Sequence, residues 1–383
     1  MRWILLLLAM AVAAVSLLNF FRAPDFMWTW KLAILAGEYG HWLVLLPLAL
    51  LVPASAAPGA SRPVIVAFCA VAVVGFLRPV CEARRLAAGL PAGLQAAFGG
   101  EARPCPLDFA RLYRGRPTPA ARMTTEIFAR PGGVELALDF YRPAWAKDAP
   151  EKPRPCVVVI HGGGWDGGDR RQLSAWNERL VARGFTVAAV SYRLAPEWIW
   201  PAQRDDVLAA LAWLKAHAAD LGLDPARLVL FGRSAGGQLA TAVGYGSGDP
   251  AIRGVIAFYA PQDMPFAWSV SREDDALNSI KLFRQYFGGP PDTPARQALY
   301  AAASGQLLAR PGSPPTLLVH GVPDTLAWYR HSERLAAHLS ELGVPHYFLR
   351  LPWATHGFDF NPDGPGGQLA GEAIDRFLAQ VMR

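Results

Sequence analysis

Apolar residues are spread unevenly along the chain. Residues 3–21 form one almost uncharged run, residues 41–57 a second, and residues 63–80 a third that is closed by Arg78 and then Arg84 and Arg85. Runs of about 18 or more apolar residues are long enough to cross a bilayer as helices. The stretch at 27–40 carries Lys31 and Glu38 and suits an interfacial position. Trp28, Trp30 and Trp42 stand near the run ends, as in an aromatic belt. A cleaved signal peptide would explain the first run alone. Buried helices of a soluble domain are the competing reading of the later ones. The pattern predicts a transmembrane region over 1–81, built of about three apolar segments by the length rule for spans.

Residues 82–122 read as a connector. Its first part, 83–98, is rich in Ala and Leu, carries Arg84 and Arg85, and predicts a juxtamembrane amphipathic helix. The remainder, with Gly99, Gly100, Pro104, Pro106, Pro117 and Pro119, has the composition of a linker. From Met123 the periodicity changes. Segments 124–129 and 134–141 alternate with period two around Pro131-Gly132-Gly133, which signals a hairpin. Solid apolar runs at 156–160, 186–191, 228–231, 254–259, 316–320 and 346–351 predict strands covered on both faces. Helical patterns at 172–183, 202–219, 235–244, 326–342 and 368–382 lie between or after them. Residues 123–383 are therefore expected to be an α/β domain with a mostly parallel central sheet and helices on both faces. Residues 264–313 break the alternation and predict a cap-like insertion, either a lid or pocket wall or an ordinary helical excursion.

Composition sharpens this picture. The 383 residues are 52% hydrophobic with mean hydropathy +0.18, and the apolar excess sits at the start of the chain. The net charge of +6 follows from an Arg-rich composition. No Lys/Arg run is interleaved with aromatics, so no nucleic-acid partner is expected, whereas basic residues beside a membrane suit anionic headgroups. Orientation stays open. An inside amino terminus leaves Arg22, Lys31, Arg84 and Arg85 outside, against the positive-inside rule, yet Arg2 before a leucine run has the form of a signal anchor. Of four scattered cysteines, Cys81 and Cys105 would pair only if their segment is exported. No metal-type Cys/His spacing is present, and no metal or cofactor is expected.

The candidate chemistry lies between His161 and His356. Gly232-Arg233-Ser234-Ala235-Gly236 falls between a predicted strand and a predicted helix. A serine hydroxyl needs a base in contact and a sharp turn that exposes it, and flanking glycines permit that turn. A tight structural turn is the alternative. An oxyanion wants preorganised N–H donors. Ala235 N–H is one candidate, with Gly162 and Gly163 of His161-Gly162-Gly163-Gly164-Trp165 as the others. His161 suits loop bracing, and Trp165 packs that loop or walls the pocket. Among the downstream histidines, His320 ends a strand, His331 and His338 lie on a helix, and His346 begins a strand. His356 alone sits in a loop after the last core strand, which makes it the expected base. Asp324 follows the strand ending at His320 and is the expected acid, with Asp263 as rival and turn residue. Asp205 and Asp206 suit helix capping.

These residues resemble the α/β-hydrolase fold, specifically hormone-sensitive-lipase-like and feruloyl-esterase-like carboxylesterases. The resemblance covers about 125–382. It rests on His161–Trp165, Ser191-Tyr192-Arg193-Leu194-Ala195-Pro196-Glu197, residues 201–207 and 232–237, and the Asp324 and His356 segments. It implies cofactor-free hydrolysis of carboxylic esters through an acyl-enzyme on Ser234. Two positions depart from the pattern. Arg233 stands where an acidic residue is common, which would place a cation at the pocket and suit acidic substrates. Thr325-Leu326-Ala327 replaces the usual apolar-Pro after the acid. The combined expectation is a membrane-anchored serine hydrolase acting on a small or lipid-like ester, with the bilayer as partner. An acyltransferase with the same triad and a silent membrane scaffold are the alternatives. Dehalogenation and epoxide opening on this fold want a carboxylate nucleophile, which the motif lacks.

Overall fold

Among the described residues, one helix is by itself long and apolar enough to cross a membrane. The computed structural model describes residues 2–55, 61–116, 121–144 and 152–383. Its first helices are α1 (Arg2–Leu17), α2 (Met27–Glu38), α3 (Gly40–Leu43), α4 (Leu45–Ser55) and α5 (Ser61–Phe98). Helix α5 meets the length and hydropathy requirement, α1 is too short, and α2 with α3–α4 meets it only as a pair bent by 81°. The expectation of three spans is thus reduced to one, or two if the bent pair counts. Helices α1 and α4 pack on the first half of α5 through Leu5, Ala9, Ala54, Ile65 and Cys69.

The expected boundary at residue 81 is absent. Helix α5 runs unbroken for 38 residues through Pro79 and Pro91. Its second half buries Val80, Ala83, Ala87, Leu90 and Leu94 against one face of the central sheet, so the expected juxtamembrane helix is a core helix instead. An amphipathic face reads the same in sequence whether lipid or a sheet covers it. The following segment is pinned rather than loose. Asp108 N donates to Gln368 Oε1 at 2.9 Å, and Gln368 Nε2 donates back to Asp108 O at 3.0 Å. Helix α6 (Phe109–Arg114) follows, and Pro117 and Pro119 lie outside the described residues.

The period-two segments form β1 (Ala121–Ala129) and β2 (Leu136–Pro143), paired antiparallel. Then come β3 (Arg154–Ile160), β4 (Thr186–Val190), β5 (Leu223–Arg233), β6 (Ile252–Phe258), β7 (Thr316–Gly321) and β8 (His346–Leu351). The sheet order is β1-β2-β4-β3-β5-β6-β7-β8, parallel from β4 to β8. Strand β5 starts five residues before the expected 228, because Asp224, Pro225 and Arg227 hide its opening in the hydropathy pattern. It lies between β3 and β6, with Leu228 to Phe231 fully buried, as two covered faces require.

Helices α7 (Ser174–Ala182), α8 (Ala202–Ala216), α9 (Ala218–Leu221) and α10 (Ala235–Gly246) connect the first parallel strands. The insertion holds α11 (Met264–Val270), α12 (Ser279–Phe287), α13 (Pro294–Ala302) and α14 (Gly305–Leu308). Helices α15 (Arg330–Glu341) and α16 (Pro365–Val381) complete the fold. Residues of α8, α10, α15 and the insertion share one apolar core; those of α5, α7 and α16 share the other. Helix α15 begins four residues after the expected 326, leaving 324–329 free to shape a loop. All four cysteines are free thiols, including Cys81 and Cys105.

Candidate active site

Strand β5 runs straight into Ser234 and then α10. Ser234 has φ +52° and ψ −120°, a region that non-glycine residues rarely occupy. Neighbouring bonds enforce it: Ser234 N donates to Phe258 O at 2.9 Å, and Ser234 O accepts from Gly237 N at 2.9 Å and Gln238 N at 3.1 Å. The glycine spacing has a steric cause. A Cβ on Gly232 would strike the Gly236 carbonyl, and one on Gly236 would strike the carbonyls of Ile160 and His161. Only glycine lets β5, the turn and β3 approach this closely.

Asp324 is fully buried and meets four donors. Its Oδ2 accepts from His356 Nδ1 at 2.8 Å and His320 Nε2 at 3.2 Å; its Oδ1 accepts from the main-chain N–H of Leu326 at 2.8 Å and Ala327 at 2.9 Å. Burial alone would raise its carboxyl, but His356 and His320 hold it well below the usual carboxylate range. An ionised Asp324 keeps the proton on Nδ1 of His356 and leaves Nε2 as the basic nitrogen. The His356 ring lies 4.3 Å from that of Tyr259, centroid to centroid, and His356 and Ser234 line one cavity.

His320, set aside in sequence as a base, enters the site in a different role. Ser332 Oγ lies 2.8 Å from its Nδ1, so the hydroxyl can donate there and leave Nε2–H to Asp324 and to Ala327 O at 3.0 Å. The signal was its position at the end of a strand, four residues before the acid. Asp263 caps α11 through Phe266 N at 3.1 Å and pairs with Arg334 at 2.8 Å, away from His356. Asp206 does not cap α8, whose start has no side-chain cap; it clamps the Arg193 guanidinium and accepts from Arg193 N at 2.8 Å.

The glycine loop corrects one expected donor. Gly162 N–H is committed to Gln172 Oε1 at 2.8 Å and is not free for a substrate oxygen. The N–H groups of Gly163, Gly164 and Ala235 have no partner among the described residues, and all three residues line cavities shared with Ser234. Gly163 and Gly164 take φ +123° and +61°, which turns their peptides inward. His161 braces the loop. Its Nδ1 donates to Gly162 O at 2.8 Å, its ring stacks on Tyr192 at 4.2 Å, and burial lowers it to about 4. Trp165 packs and walls at once: Nε1 donates to Gln238 Oε1 at 2.9 Å while the residue lines the pocket.

Arg233 lines the larger of two cavities that Ser234 shares, yet its guanidinium is almost wholly buried. Its side chain is 2% exposed and its Nε lies 2.5 Å from Asp359 Oδ2. The Phe231 and Trp176 rings flank its guanidinium.

Ser234 stands where two cavities meet, of about 280 and 360 Å³. The insertion walls the smaller with Ala267, Val270, Leu282 and Phe283. Gln238 fixes that wall, accepting from Tyr286 Oη at 3.0 Å and donating to Ala303 O at 2.7 Å. Met27 and Trp30 of α2 wall the larger, together with Tyr259 and Phe360. Trp30 therefore leaves the expected aromatic belt: its Nε1 donates to His356 O at 2.8 Å. Periodicity gave no hint that α2 reaches the site.

A parallel sheet covered by helices, a serine at a strand–helix elbow, an acid after β7 and a histidine after β8 are the architecture of an α/β hydrolase. Residues 138–339 match the family model BD-FAE, and the chain belongs to that family of α/β-hydrolase carboxylesterases. It is similar to esterase LipQ of Mycobacterium tuberculosis, 28% identical over 268 residues that span 68% of this chain and 63% of LipQ. Similarity to the probable carboxylic ester hydrolase LipM of the same organism, 26% identical, spans 98% of this chain and 93% of LipM. Among solved structures, a bacterial heroin esterase superposes with TM-score 0.59, 24% identity, 69% of this chain and 85% of that one. The propionate-bound Est2 esterase of Thermogutta terrifontis superposes with TM-score 0.57, 24% identity, 68% of this chain and 94% of that one.

Proposed function

We propose that this protein is a membrane-associated serine hydrolase that cleaves carboxylic esters. Ser234 Oγ attacks the ester carbonyl as its proton passes to His356 Nε2, and the tetrahedral oxyanion accepts from Gly163, Gly164 and Ala235 N–H. Collapse of the intermediate breaks the C–O bond, and the imidazolium returns the proton to the leaving alkoxide. Water then repeats the sequence on the acyl-enzyme and releases the acid. Asp324 fixes the His356 tautomer and stabilises its cationic form. The observation that carries this reading is the 2.8 Å His356–Asp324 bond with His356 and Ser234 on one cavity. Relatives named as esterases favour water over an alcohol as acceptor.

Membrane association is supported by the outer surface of the amino-terminal helices. Trp3, Ile4 and Leu7 of α1, Leu45, Leu46 and Val52 of α4, and Val64 and Val74 of α5 are all exposed, a patch that water would penalise and lipid tails would not. A cavity pair reached beside such an anchor suits amphiphilic or lipid-like esters. The test is an acyl-chain series of nitrophenyl esters on detergent-purified full-length protein, with fluorophosphonate labelling. Labelling lost in Ser234→Ala and turnover that favours medium over acetyl chains support the reading. Labelling that persists in Ser234→Ala, or a sharp acetyl preference, counts against the nucleophile or the substrate class respectively.

A further inference from the structure

The amino-terminal apolar region lies against the two loops that carry the acid and the base. Trp30 Nε1 donates to His356 O at 2.8 Å, and Arg22 Nη2 donates to Thr325 O at 3.1 Å, next in sequence to Asp324. Each is the one hydrogen-bond partner of its carbonyl among the described residues. Asp25 pairs with Arg22 and with Arg272 of the insertion, each at 3.4 Å, so this segment also reaches the wall of the smaller cavity. The far end of α2 is fixed as well. Glu38 accepts from Trp353 Nε1 at 3.3 Å and Gly366 N at 2.9 Å, and Asn361 Nδ2 donates to Glu38 O at 3.1 Å. Trp353 precedes His356 in the chain, and Asn361 and Gly366 follow it. Helix α2 is thus fixed to the base loop at both ends, through Trp30 in its first turn and Glu38 in its last.

We propose that residues 22–38 are a working part of the active site, with Trp30 a positioning residue for His356. The proposal rests on the ester-hydrolase reading above. Asp324 fixes the imidazole from its Nδ1 side, but the reach of Nε2 toward Ser234 also depends on the main chain at 356. The Trp30 bond sets the orientation of the peptide that follows His356. Arg22 does the same for the peptide after Thr325, next to the acid. A displacement of the base of about 1 Å is enough to cost a large factor in rate. The region that anchors the protein therefore also holds two members of the triad in register.

The experiment compares full-length wild type, Trp30→Phe and Arg22→Gln in detergent. Trp30→Phe keeps an aromatic wall and removes the donor; Arg22→Gln alters a side chain that is half exposed. Hydrolysis of nitrophenyl butyrate, the second-order rate of fluorophosphonate labelling and the thermal midpoint are measured on each. We expect kcat of Trp30→Phe to fall about 10-fold with KM within about twofold, labelling to slow in parallel, and the midpoint to stay close to wild type. Arg22→Gln should show the same pattern at about 3-fold. A residue that only packs would move the midpoint or KM and leave kcat and labelling alone, and that result overturns the proposal. If Trp30→Phe does not fold, Arg22→Gln decides on the same criteria. If wild type itself neither turns over ester nor labels, the hydrolase reading is what has failed.

Discussion

Arg233 Nε lies 2.5 Å from Asp359 Oδ2, and this buried pair joins the residue before Ser234 to the turn three residues after His356. Tyr259 Oη donates to the other carboxylate oxygen at 2.5 Å, while its ring packs against His356. The nucleophile elbow and the base loop come from chain segments more than a hundred residues apart. One charge-assisted contact locks them together beneath the site.

Removing one member of a buried pair strands the other charge. Arg233→Ala should therefore lower stability by about 3–5 kcal/mol, and Asp359→Ala by a similar amount. Denaturant unfolding of both variants checks this. The ratio of kcat/KM for hemisuccinate and butyrate esters should be the same in wild type and Arg233→Met, since the guanidinium is buried against Asp359. A fall in that ratio would show that the guanidinium acts on substrate.

His320 donates to Asp324, and His356 is the proposed base. His320→Gln should retain covalent labelling while kcat falls about 10-fold, because the acid loses one of its four donors and its orientation loosens. His356→Ala should lose about 10⁴-fold or more, as expected when the base itself is removed. Parallel turnover measurements separate the two roles.

Gly163 takes a backbone conformation closed to L-residues, and a Cβ there would run into the Gly167 carbonyl. Gly163→Ala should displace the oxyanion donors and cost about 10²-fold in kcat with a smaller change in KM. Gln172→Ala frees the Gly162 N–H without moving the donors that matter, so its loss should be milder. Steady-state kinetics on both variants test the replacement of Gly162 by Gly164 in the oxyanion site.

Burial lowers His161 to about 4, whereas an unfolded histidine titrates near 6.5. Between these values the unfolded chain binds the extra proton, so stability falls as pH drops from about 6.5 toward 4. His331, buried and lowered to about 3, acts in the same direction over a wider window. Urea unfolding across this range should show a shallower pH slope in His161→Gln than in wild type.

The second half of α5 covers one face of the sheet through Ala83, Ala87, Leu90 and Leu94. A fragment of residues 123–383 leaves that face bare and should be aggregation-prone, binding a hydrophobic dye strongly, whereas a fragment starting at residue 79 should be less so. Gel filtration and dye fluorescence of the two fragments distinguish them.

The strands at 156–160, 186–191 and 346–351, the glycines around Ser234 and the chain order Ser234, Asp324, His356 were legible because each depends on local rules. Period and apolar runs report which faces are covered, and a Cβ clash between Gly232 and Gly236 is a matter of neighbouring residues. The resemblance to a known family then supplied the fold and the chemistry together. What covers an apolar face is not a local property, so α5 read as a span followed by a separate surface helix, though it is one helix whose second half is buried against the sheet. Nor does local sequence say where a long polar side chain finds its partner. Arg233 turned to Asp359, Gly162 N–H to Gln172, His320 to Asp324 and Trp30 to His356 only once the sheet had brought those segments together. Contacts 326 residues apart in the chain, as between Trp30 and His356, exist only in the folded packing. The sequence by itself named the candidate groups for the chemistry; the tertiary structure decided which groups hold them in place.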